Sequence, residues 1–129
     1  MTTRTRARRK AFETIFEAQQ RGIDLAGLVA ERDLPEYAAQ LANAVAVNQD
    51  AIGEWLDTYS DGWPTDRMAA VDRAALYLGT YEVVFEDDVP DPVILKDVAD
   101  LVGELSTSKS PNFVSGMLGR FSAIKETLR

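Results

Sequence analysis

The chain contains neither cysteine nor histidine. Without cysteine there is no disulfide, thiol nucleophile or thiolate metal ligand, which fits a reducing compartment. Without histidine the commonest general base is missing, and no side chain has an ordinary pKa between pH 5 and 8. No apolar run approaches the roughly 18 residues of a membrane span, and the charged N-terminus leads into an amphipathic helical pattern without the cleavage site of a signal peptide. Strand-like alternation, internal repeats, low-complexity tracts and glycine-rich phosphate loops are all missing. A soluble, cytoplasmic protein with no metal or cofactor is the expectation. Acids are plentiful, but Asp57, Asp61, Asp66, Asp87, Asp88 and Asp91 stand in cap-like or loop-like contexts. Neither a nucleophile with an adjacent base nor a metal cluster can be assembled from the residue types present, so no enzyme is expected.

What is present is helical periodicity and an uneven charge. At 129 residues the chain is one domain by size, long enough to bury roughly two thirds of the surface its unfolded form exposes. Its formal charge is −7, from 14 basic and 21 acidic residues. The first ten residues hold Arg4, Arg6, Arg8, Arg9 and Lys10 and no acid, so the remaining nine basic residues face all 21 acids and residues 11–129 carry −12. A basic arm on an acidic body focuses any polyanion contact on the arm. Arginine and lysine neutralise phosphates, and arginine also stacks on unpaired bases. A basic N-terminal segment is equally often a solvated tail, and composition alone does not separate the two readings.

The organising stretch is Met68–Phe85. Helical spacing puts Val71, Ala74, Ala75, Leu78, Tyr81 and Phe85 on one side, with Leu76, Val83 and Val84 on the flanks. A helix that is apolar nearly all round is buried nearly all round. The small residues Ala69, Ala70, Ala74, Ala75 and Gly79 let neighbouring helices come close. A first helix is expected over about 6–20, stopped at Gly22, and a short second one from an Asp24 cap to before Leu34-Pro35. A third spans about 36–59 with a bend or break at Asn48-Gln49-Asp50, and Ser60-Asp61-Gly62-Trp63-Pro64 reads as a loop. Thr65 or Asp66 is expected to cap the central helix, and Asp91-Pro92 and Ser110-Pro111 to start the last two. The expected fold is all-α, a compact bundle of six or seven helices.

Four stretches together resemble the NusB family of transcription antitermination factors: residues 5–16, 71–85, 88–90 and 106–118, the last reading Ser-Thr-Ser-Lys-Ser-Pro-Asn-Phe-Val-Ser-Gly-Met-Leu. The resemblance covers nearly the whole chain in order. It implies two perpendicular three-helix bundles, pairing with the ribosomal protein NusE, and binding of the single-stranded boxA element of ribosomal RNA leader transcripts within an RNA polymerase antitermination complex. By position it implies RNA contacts from Arg4, Arg6, Arg8, Arg9, Lys10, Lys109 and Phe113, with Phe16 and Asp72 on a partner-facing or RNA-facing surface. The chain departs from the family pattern at Tyr77, at Leu95-Lys96-Asp97-Val98 and at Ser115. The competing reading is a homodimeric protein–protein or assembly module in which the basic segment is buried.

Overall fold

The first helix, α1 (Thr3–Arg21), opens on Thr2, whose Oγ1 accepts the Thr5 amide at 3.0 Å. It therefore begins before the apolar stripe does, and the basic segment is itself helical. Gly22, at φ 64°, ends it in a left-handed turn that suits glycine. The Asp24 carboxylate caps α2 (Leu25–Glu31) by accepting the Gly27 amide at 2.8 Å. After Pro35, α3 (Glu36–Tyr59) runs unbroken for 24 residues. The expected break at Asn48 does not occur, because the Asn48 amide turns back on its own helix and donates to the Ala44 carbonyl at 2.8 Å.

The loop after α3 turns through Asp61 and Gly62, both at positive φ. Thr65 and Asp66 do not cap the central helix, as the sequence suggested. They form a single 3-10 turn (Thr65–Arg67), with the Thr65 amide donating to Asp57, and α4 (Ala70–Phe85) starts beyond it without a side-chain cap. Then come α5 (Asp91–Leu105) and α6 (Ser110–Leu128), each with proline in its first turn. Asp91 and Ser110 are first helical residues and not caps. Asp91 accepts from Lys125 at 3.0 Å, and Ser110 donates to Asp72 at 2.9 Å.

This computed structural model describes residues 2–129, and among them there are six α-helices and no strand. Helices α1, α2 and α3 pack on one another, as do α4, α5 and α6, and α4 also lies against α1 and α3. It is the shared strut the sequence indicated. Ala74, Ala75, Leu76, Leu78, Val83 and Val84 are fully inaccessible. Phe85 escapes, lying exposed at the helix end with its ring 5.7 Å from Tyr81 and 6.0 Å from Trp55. Gly79 marks a close approach of α4 to α6, since a Cβ there would stand 2.8 Å from a Leu118 methyl carbon.

Leu78→Ala is expected to cost about 2–5 kcal/mol in chemical denaturation, because a cavity bounded by several helices collapses poorly. A loss under about 1 kcal/mol would mean that α4 is not the structural centre.

Candidate nucleic-acid interface

Ordinary helical rotation divides the five cations in the first turns of α1. Arg6 and Lys10, one turn apart and both exposed, border a cleft of about 700 Å³ against Pro35, Glu36 and Tyr37 at the start of α3. Arg4 lies over the Tyr37 ring, 5.4 Å from its centroid, and 3.6 Å from Asp88. Burial pushes the Tyr37 phenol up, and its hydroxyl is enclosed without a hydrogen-bond partner. Arg9 turns the other way and donates to Glu104 at 2.8 Å, where both side chains keep solvent contact.

Arg8 does not join this exposed set. Only 2 % of it is accessible, and its guanidinium forks onto the Glu82 carboxylate of α4 at 2.7 and 2.9 Å, with a further bond to Asp97 of α5. The placement of Arg8 among the exposed RNA-facing cations, implied by resemblance, is corrected: its guanidinium is buried and taken up by two carboxylates. Glu82 has no accessible surface. Burial pushes its carboxyl up and the Arg8 guanidinium pulls against that. Burial opposes the charge on Arg8 too, but its two carboxylate partners outweigh this and raise its pKa. A signal for the pair lay in the sequence. Stepping back one turn along the stripe Ala11–Phe12–Ile15 lands on Arg8, and Glu82 is an acid set among the apolar residues of the central helix.

A second cleft, of about 430 Å³, lies between the 60–69 segment and the start of α6. Lys109 and Phe113 line it, and so do Trp63, from the loop after α3, and Arg67, from the 3-10 turn. Trp63 is half exposed, while Phe113 is partly buried and also packs against the core. Asp72 borders this cleft from within. It is 6 % accessible, so the expectation of a surface group is corrected: Oδ2 takes the Ser110 hydroxyl and Oδ1 is buried with no partner. Phe16 lines neither cleft. It is partly buried on α1, stacked 5.9 Å from Phe12. Exposed cations beside aromatic rings suit a flexible polyanion that carries stackable bases. Among the described residues no three His, Cys, Asp or Glu side chains are placed to hold a metal ion, and no helix is long and apolar enough to cross a membrane.

An all-α domain with a basic first helix and an aromatic–basic cleft is the class these features define. The chain belongs to the NusB family, whose model matches residues 5–123. A transcription antitermination protein NusB from Kineococcus radiotolerans is 46% identical over 134 residues, spanning 99% of this chain and 98% of that protein. Among solved structures, T. maritima NusB superposes with a TM-score of 0.86 at 29% identity, covering 95% of this chain and 92% of that one. A structure of the antitermination factors NusB and NusE in complex with dsRNA gives 0.79 at 26%, covering 95% and 98%.

Arg8→Ala is expected to cost about 3–5 kcal/mol at neutral pH by urea unfolding, because it strands the Glu82 carboxylate in the core. Arg6→Ala, at an exposed site, should cost less than about 0.5 kcal/mol. Equal costs for the two would contradict the division of the arm described above.

Proposed function

We propose that this chain is a non-enzymatic RNA-binding factor of transcription antitermination and ribosomal RNA processing. It pairs with the ribosomal protein NusE and binds boxA-type single-stranded RNA as part of the RNA polymerase antitermination complex. The observation that carries the reading is the exposure of Arg6 and Lys10 at one end of α1, with the half-buried Arg9 beside them at the solvent boundary, against a body of charge −12. An acidic body repels RNA at long range, so attraction is confined to this end and to the Lys109–Arg67 cleft. Within that cleft Phe113 and Trp63 offer stacking faces beside the cations Lys109 and Arg67. The family membership and the RNA-containing NusB–NusE relative support the same assignment.

The body's charge makes the chain a weak RNA binder by itself, and a basic partner extends the positive track. Labelled boxA RNA titrated against the chain, with and without NusE, should show tighter binding in the mixture. Equal affinities would remove the cooperative part of the reading. A dimeric mass in solution with no RNA binding in either titration would favour the protein–protein module instead.

Salt dependence separates the roles of individual residues. Arg6→Ala should lower the magnitude of the log–log salt slope by about 0.7, the counterion release of one single-strand phosphate contact. Phe113→Ala should lose about 1–3 kcal/mol of affinity with the slope intact, because stacking carries no charge. A Phe113→Ala loss that merely follows lost fold stability would place Phe113 in the core alone.

A further inference from the structure

The cations of α1 occupy a place where a helix does not want them. A helix N-terminus carries partial positive charge, and the first turn of α1 contains no acid to offset it. Arg4 and Arg8, and Arg6 and Lys10, are like-charge neighbours at four-residue spacing, which further disfavours the helix. Local sequence would leave this segment frayed, so something in the tertiary structure imposes its order.

The anchor is Arg8 with its two acceptors. Glu82 holds two guanidinium nitrogens, Asp97 holds the third, and Asp97 Oδ2 also accepts from Thr5 Oγ1 at 3.1 Å. One carboxylate oxygen thus grips α1 at two points three residues apart. With Arg8 fixed inward, rotation along the helix fixes Arg6, Arg9 and Lys10 outward.

We infer that Arg8, Glu82 and Asp97 are positioning residues for RNA binding. They touch no RNA, and they hold the exposed cations in a preformed array so that the ordering of this turn is complete before the strand arrives. The inference rests on the RNA-binding reading above and assigns these three residues a role in it.

Asp97→Asn is the decisive substitution, because charge and position pull in opposite directions. Removing a negative charge beside a polyanion site should tighten binding, whereas loosening the anchor should weaken it. Asp100→Asn, nearby on α5 and paired with the exposed Lys96 at 2.8 Å, controls for charge. Labelled boxA RNA is titrated into each protein mixed with NusE, with amide hydrogen exchange followed over residues 5–10 of each protein alone. Asp97→Asn should weaken binding roughly fivefold, the order of effect expected from freeing one or two long side chains. It should also speed exchange in that turn, while Asp100→Asn binds as tightly as wild type or tighter. Equal or tighter binding by Asp97→Asn, or unchanged exchange, overturns the positioning role while leaving the RNA reading intact. No binding by wild type overturns both. Should Asp97→Asn fail to fold, Thr5→Val, which removes the neighbouring bond without altering charge, decides the matter: unchanged affinity there overturns the role.

Discussion

A carboxylate with no accessible surface, in the last turn of the most buried helix, is the constraint on which the rest of this structure depends. Left unpaired, Glu82 would carry a desolvation penalty of several kcal/mol, a large part of the margin by which a domain of this size is folded. Its partner in the core is Arg8. The pair therefore fixes how α1 meets α4 with a directional contact that apolar packing alone lacks: a ridge of alanine and leucine can slide, and a forked guanidinium cannot. Asp97 extends the same grip to α5. The first helix and the consecutive pair α4 and α5 are registered by one arginine.

That registration lets two opposed requirements coexist. The body is acidic, and the surface suited to a polyanion must be basic. The chain places its cations at a helix start, against both the helix dipole and one another, and uses a buried acid on α4 and a partly buried one on α5 to hold that start in place. Surface acids of the body meet the same segment more weakly. Asp88 and Glu104 contact Arg4 and Arg9 at the solvent boundary, where ion pairs contribute little and yield easily to a competing phosphate.

Most of the architecture was legible because it is written in local signals. Helical spacing of Leu25, Leu28 and Val29, or of Ile94, Val98, Leu101 and Val102, repeats at intervals that only a helix can bury together, and these residues are buried. Gly22, Pro35 and Pro90 stop or start elements through their own backbone restrictions. The readings that failed depended on which of two local options a distant residue would select. Asn48 could break a helix or bond back to it, and Thr65 could cap or be claimed by Asp57. The candidate interface was legible as a composition and not as a geometry. Five cations in ten residues read alike, and only the position of Glu82 separates Arg8 from Arg6. Trp63 and Arg67 carried no periodic signal, since a loop residue acquires its neighbours solely from the fold.

The 74 residues that separate Arg8 from Glu82 also have a meaning in time. A chain is made from its N-terminus, at about 5–20 residues per second, so the arginines are in place roughly 4–15 seconds before the carboxylate that will bury one of them, and longer still before Asp97. During that interval all five cations are unshielded on a nascent chain tethered to a ribosome, itself largely RNA. Pairing with Glu82 therefore has to withdraw Arg8 from whatever phosphates the young chain has met, and completion of α4 and α5 turns an indiscriminate basic tail into a helix whose cations have fixed directions.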